Sequence, residues 1–216
     1  ITPDRIYKWI HFKKNGKLVV DEKKVGNWVT KFCTKYRTVG KTRTLKTHSG
    51  KKVEIEGGDY GWIINYDKTQ KQAVKAIKNL QNSDDIHAYI DSPSEEMKSK
   101  LTTTLKPQYL LSAYQKDYEN FNDDWNHKRY VEVSLTEQKV YVWKNGKCIY
   151  TAKCITGKPT PERRTKTGTF YIKEHTAAKT LVGDDYKTPV KFWTRITWSG
   201  TGFHSATWQA WSRWTP

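Results

Sequence analysis

The residues best suited to chemistry lie in the run GTGFHSATW at 200–208. His204 there carries an imidazole, which changes charge near neutral pH and is the commonest general acid or base. Its neighbour Ser205 would need a paired acid and a G-x-S-x-G turn to act as a nucleophile, and neither accompanies it. Thiolates are stronger nucleophiles, and the chain has Cys33, Cys148 and Cys154. Cys148 and Cys154 fall six apart on what reads as one strand, ~20 Å at ~3.3 Å per residue, too far for a disulfide. No C-x-x-C pair or His/Cys cluster calls for a metal, and no motif calls for a cofactor. The remaining histidines, His11, His48, His87, His127 and His175, have no partner pattern. The run GGDYGW (57–62) is either a glycan-contacting loop or a turn that needs glycine dihedrals, and the turn is the better reading. It is not a dinucleotide fingerprint, because no strand–G-x-G–helix order surrounds it.

These residues need a scaffold, and the sequence divides into two halves. Residues 21–36 read as a helix, with Val25, Trp28, Val29 and Phe32 at i, i+3, i+4 and i+7. RTLKT (43–47) and KKVEIE (51–56) alternate as two strands around an HSG turn. An apolar WIINY follows, and Asp67 is expected to cap a second helix with Ala73, Val74, Ile77 and Leu80 on one face. Residues 83–107 are polar and read as loop-rich, and 120–128 read as a linker. From Arg129 the pattern becomes β. Val131, Val133 and Leu135 share one face, Val140 and Val142 another, and Asn145-Gly146 is a strong hairpin signal. Further strands are expected at 168–175 and 190–198, before a glycine-opened turn at 200–208. TKTG (165–168) reads as a turn into the 168–175 strand. The expected class is α+β. A mixed α/β accessory domain at 1–124 precedes a mainly β, sandwich-like domain at 129–216.

Composition narrows the partners. A net charge of +17 attracts polyanions: nucleic acid, anionic lipid or anionic wall polymers. It is spread along the chain with no long Lys/Arg run, and no RRM, KH or zinc-finger signature supports nucleic acid. Ten Trp and 13 Tyr suit either β cores or a ligand surface. No stretch approaches the ~20 apolar residues of a membrane span. The start, ITPDRIYKW, has neither an initiator Met nor an apolar signal region, so a trimmed chain is expected.

At this point the motifs resemble a known family. YVEVSLTEQKVYVWKNGK, ITGKPTPERRTKTGTFYI, PVKFWTRIT and GTGFHSATW, in this order across 129–208, resemble the L,D-transpeptidase (YkuD) catalytic domain. HSGKKVEIEGGDYGWIINYDKT resembles the peptidoglycan-binding accessory domain of Gram-positive members. The resemblance implies a cysteine nucleophile in an S/T-H-G-C motif that follows the G-x-H-x-A histidine, which here is His204. The thiolate attacks a donor stem peptide, terminal D-Ala leaves, and an acceptor amine resolves the thioester into a crosslink between third residues. The resemblance further implies that Trp193, Gly202, Phe203, Ser205 and Trp208 line the substrate groove, with core packing the equal alternative for the three aromatics. Phe192-Trp193-Thr194 stands where the family has an aromatic pair followed by Met.

None of the twelve residues after His204 is Cys. The catalytic domain is therefore expected to stop before its nucleophile and to be inactive as it stands. The expected partners are peptidoglycan stem peptides and anionic wall polymers, with no nucleic acid and with room for a membrane anchor upstream. The expected location is extracellular, at the cell wall. The rival reading is a non-catalytic, basic wall-binding module. An imidazole at 204 packed into the core would remove the enzymatic reading.

Overall fold

The computed structural model describes residues 1–80, 84–106, 108–112 and 128–208. In chain order the first elements are α1 (Pro3–Ile6), a 3-10 turn (Tyr7–Trp9), β1 (Ile10–Phe12), β2 (Leu18–Val20) and α2 (Glu22–Tyr36). Next come β3 (Arg43–Lys46), β4 (Lys52–Ile55), β5 (Trp62–Ile64), α3 (Tyr66–Lys78), α4 (Asp84–Asp91), α5 (Glu95–Leu101) and β6 (Tyr109–Ser112). The last are β7 (Arg129–Ser134), β8 (Lys139–Lys144), β9 (Lys147–Lys153), β10 (Glu174–Val182), β11 (Lys187–Arg195) and β12 (Gly202–Phe203). This mixture of helices and small antiparallel sheets is the α+β class read from the sequence. Among the described residues no helix is long and apolar enough to cross a membrane.

The chain forms two compact units, Ile1–Arg37 with Trp62–Ser112, and Thr38–Gly61 with Ala113–Pro216. The first is built around α2 and α3. Asp21 caps α2 by accepting from the Lys24 amide at 3.0 Å. Val25 and Val29 of α2 bury against Ala73, Val74 and Ile77 of α3, with Ile6, Trp9, Leu18, Val20 and Ile86 closing the core. Each such aliphatic side chain contributes about 1.5–3 kcal/mol when fully buried. Gly26 faces α3, where a Cβ would lie 2.8 Å from the Tyr66 hydroxyl.

Two expectations in this unit are corrected. The cap of α3 is Asn65, whose Oδ1 accepts from the Lys68 amide at 3.0 Å. Asp67 sits inside the first turn, where its charge favours the helix dipole instead. Residues 84–101, read as loop, form α4 and α5. Acidic first turns (Asp84, Asp85; Glu95, Glu96), a Ser94 cap and the buried Ile86, Tyr89 and Leu101 outweigh the polar composition. The expected linker at 120–128 lies outside the described residues except for Lys128.

The second unit holds two three-stranded sheets, β7-β8-β9 and β10-β11-β12, and the β3–β4 hairpin. Asn145 and Gly146 both take positive φ (53° and 73°) in the β8–β9 turn, as an Asn-Gly hairpin requires. The stretch 168–173, expected as strand, has no ladder of its own, and β10 starts only at Glu174. Its partner is the glycine loop: Thr169 bridges Gly58 in parallel, donates from N to Gly57 O (3.2 Å) and accepts from Tyr60 N (2.9 Å). Gly58 has φ 83°, and a Cβ there would sit 2.1 Å from Thr169 O, so only glycine fits. Beside it the fully buried Lys173 ammonium pairs with Asp59 at 2.8 Å and donates to the carbonyls of Ile196 (2.6 Å) and Tyr171 (3.2 Å). Arg43 ties the ends of the Thr38–Gly61 segment by donating to the Thr38 and Tyr60 carbonyls at 2.9 and 3.1 Å.

The covered face of β7–β8 is polar where the hairpin docks. Glu132 (7% exposed) and Tyr141 stand opposite each other across the strands, while Val131 is 41% exposed. His48, at the hairpin tip, lies flat on the Tyr141 ring (3.9 Å, 8°). Its Nδ1 is 2.7 Å from Glu132 Oε1 and its Nε2 3.0 Å from Glu137 Oε1, and its backbone N–H donates to Glu132 Oε2 at 3.0 Å. Glu137 also accepts the Tyr141 hydroxyl proton.

The hydrogen bond to Glu132 chiefly raises the His48 pKa. The Tyr141 hydrogen bond chiefly lowers that of Glu137, and the same bond pushes Tyr141 up to about 12. A raised histidine contributes stability that is full below its unfolded value near 6.5 and is lost as pH climbs through the higher folded value. The lowered Glu137 contributes fully above 4.5 and fades as pH falls through its folded value. Amide exchange protection in β3 and β4 should therefore peak between these limits and weaken toward either. His48→Gln should remove the alkaline loss. Flat protection across the whole range would show that the ionic contacts do not hold the hairpin.

Candidate active site

His204 follows directly on β12, and the backbone on both sides of it is pinned to β11. Before it, Phe203 and Gly202 pair with Thr194 and Arg195. After it, Ser205 N donates to Lys191 O at 3.1 Å while Lys191 N donates to Ser205 Oγ at 3.0 Å. Beneath lies Trp193, 2% exposed and the largest fully buried side chain. Its indole fits because position 202 has no Cβ; one there would meet Thr194 O at 2.5 Å and the Trp193 ring at 2.9 Å.

The imidazole itself is exposed. Its Nδ1 lies 2.9 Å from the Ser205 carbonyl. A carbonyl can only accept, so Nδ1 carries the proton and the lone pair of the neutral ring sits on Nε2. The Trp193 and Trp208 rings flank it, each 6.0 Å away, the Trp208 ring nearly parallel at 16°. The arrangement is that of an exposed base with a fixed tautomer.

The strand beneath is braced at one end and strained in its middle. Glu174 accepts from Lys179 at 2.6 Å and pairs with Arg195 Nε at 3.1 Å, and the Lys179 contact chiefly lowers its pKa. His175 lies 2.8 Å from the Thr194 hydroxyl. Phe192, between the clamped Lys191 and the buried Trp193, has φ 58° and is 65% exposed. A bulky residue at that φ is an outlier costing about 1–3 kcal/mol, held in place by its surroundings.

The structure sorts the expected groove residues. Trp208 is exposed beside His204, and Phe203 is half-buried in β12. Trp193, expected as a groove wall, lies instead in the core beneath the imidazole: the positive φ at Phe192 breaks the alternation of β11, so Val190 and Trp193 are both buried. Gly202 serves close packing, and the Ser205 hydroxyl accepts from the Lys191 amide. The clamp at Lys191, the strained Phe192 and the Glu174 brace had no sequence signal. The three thiols lie elsewhere, Cys33 on α2, Cys148 on β9 and Cys154 just after it. Burial raises the pKa of Cys33 and Cys154, opposite to what a nucleophile needs. Among the described residues no His/Cys/Asp/Glu group is assembled for a metal.

Segments of the chain match known families. Residues 128–215 match the L,D-transpeptidase catalytic domain, and residues 3–85 match the family described as "Putative peptidoglycan binding domain". The chain thus carries a segment that matches the L,D-transpeptidase catalytic domain, preceded by one that matches a peptidoglycan-binding domain. Two solved structures are similar. One is the Ldtfm–avibactam carbamoyl enzyme (27% identity, 95% of this chain and 71% of that chain, TM-score 0.64). The other is an Enterococcus faecium L,D-transpeptidase carrying a cysteine-to-serine substitution (27% identity, 96% and 73%, TM-score 0.64). Among curated proteins nothing matched.

Gly202→Ala tests the packing under the imidazole. It should lower stability by about 1–3 kcal/mol, as overpacking does, and shift the His204 ring resonances. A urea midpoint and spectrum equal to the parent's would mean that Trp193 and Gly202 do not set the ring's position.

Proposed function

We propose that this chain provides the scaffold and base of a peptidoglycan L,D-transpeptidase that links third residues of stem peptides through a cysteine thioester. The observation that carries the reading is His204, exposed, with Nδ1 bonded to the Ser205 carbonyl and no hydrogen bond at Nε2 among the described residues. Nε2 would take the proton of an incoming thiol, and the thiolate would attack the donor carbonyl. The bond to terminal D-Ala breaks as the imidazolium returns the proton to the departing amine. An acceptor amine then displaces the thiol and forms the crosslink. Trp208 and Phe203 are the proposed groove residues. The accessory domain, proposed at 1–124 before a catalytic domain at 129–216, would hold the protein on the wall outside the cell.

A carbapenem tests this reading by intact mass. A polypeptide of these 216 residues should gain no adduct, because none of its thiols stands at His204. Extended to include a cysteine in the S/T-H-G-C context, it should acylate, and His204→Ala should slow acylation about 10²–10⁴-fold. Unchanged acylation would remove His204 from the base role. An extended chain that never acylates would leave the basic wall-binding module, which the +17 charge favours.

A further inference from the structure

We propose that a cleft in the second unit, framed by the 156–167 loop, binds a linear polyol-phosphate polymer, with Lys158, Arg164 and Lys166 on its phosphodiesters. The proposal relies on the wall reading for the polymer's presence, and on the cleft alone for its recognition. The cavity measures about 900 Å³, within the range of clefts that enclose a ligand or a polymer repeat. Among the described residues three cations line it against one carboxylate, Glu162. Among the described residues none of the three cations has an ion-pair partner. Unneutralised cations facing one cleft are an anion site in search of its ligand.

The loop is also built in advance. Gln138, held at φ 52° in the β7–β8 turn, donates from Nε2 to Leu135 O (2.7 Å) and Thr156 Oγ1 (2.6 Å) and accepts from Thr156 N (2.8 Å). Thr165 Oγ1 accepts from Gly157 N at 2.8 Å, leaving its own proton to donate. Arg163 N and Arg164 N both donate to Thr160 O (3.2 and 2.9 Å). Gly157 passes so near this turn that a Cβ would lie 2.0 Å from Arg163 O. The cations are therefore carried by an ordered loop, and less ordering entropy opposes binding.

The lining selects among polyanions. Arginine and hydroxyl donors suit phosphate oxygens. Leu135, Pro159 and Pro161 offer apolar contact for a carbon spacer. Among the described residues no aromatic side chain lines the cleft, and stacking platforms are what proteins use to hold single-stranded nucleic acid.

Fluorescence anisotropy of a labelled glycerol-phosphate oligomer with the 216-residue chain tests the site. Lys158→Ala/Arg164→Ala/Lys166→Ala should weaken binding at least about tenfold at low salt, and flatten the log–log salt slope by about 2, at ~0.7 per lost contact. Lys13→Ala/Lys14→Ala/Lys17→Ala removes the same charge from the exposed β1–β2 turn and should leave affinity within about twofold. Equal loss in that control overturns the site in favour of net charge alone. Equal or tighter binding of oligothymidylate or polyglutamate overturns the choice of polymer. No cysteine takes part, so this binding can fail while acylation stands, and the reverse.

Discussion

An imidazole works as a base only when one nitrogen is committed and the other is free, and here the Ser205 carbonyl makes that commitment. The contact is local, one residue along the chain, so it holds only if the backbone around 204 is fixed. The β11–β12 pairing fixes one side and the reciprocal Lys191–Ser205 bonds fix the other. Both depend on β11, whose inward anchor is Trp193 and whose close approach to β12 needs the bare Cα of Gly202. The strained φ of Phe192 fits this picture. It lies between two fastened residues, and such strain persists only where neighbours over-determine it.

The unit that carries the imidazole is assembled partly from a segment early in the chain. Thr38–Gly61 is held to it by three chemically different fastenings: the His48 cluster, the Gly58–Thr169 bridge and the Asp59–Lys173 pair. The last constrains most. A lysine with no exposed side-chain surface is tolerable because all three of its protons have acceptors, and removing one partner of such a pair typically costs about 3–5 kcal/mol. Each fastening is specific in direction, so together they define one seating of the segment.

What could be read from the sequence was local. The α2 stripe, the β3–β4 hairpin and the Asn145-Gly146 turn all carry their signals within a few residues, and each is where its pattern put it. What escaped depends on distance or on competition. His48 finds its carboxylates 84 and 89 positions away, so nothing near it marks it as more than a turn histidine. Residues 168–173 look like a strand, but their neighbour is a glycine loop rather than a ladder. The 84–101 helices were masked by polar composition, because their stability comes from caps and a few buried side chains. Trp193 could be read either way from its neighbours, because the positive φ at Phe192 breaks the alternation that would have decided its face.

The charges divide into two populations, and that division separates structure from recognition. Lys173, Lys179, Arg195 and Lys78 are paired with carboxylates and hold elements together. Lys158, Arg164 and Lys166 sit on a pinned loop and have no carboxylate partner among the described residues. A net +17 made only of solvated surface lysines would give a diffuse field, falling off within ~8 Å at physiological salt. Cations gathered on a rigid loop act over contact distances, where screening is weakest. Long-range attraction can bring a polyanion to this protein, but only a held constellation can distinguish one polyanion from another. The same logic applies at His204, where a fixed lone pair, rather than an abundance of titratable groups, makes the chemistry specific.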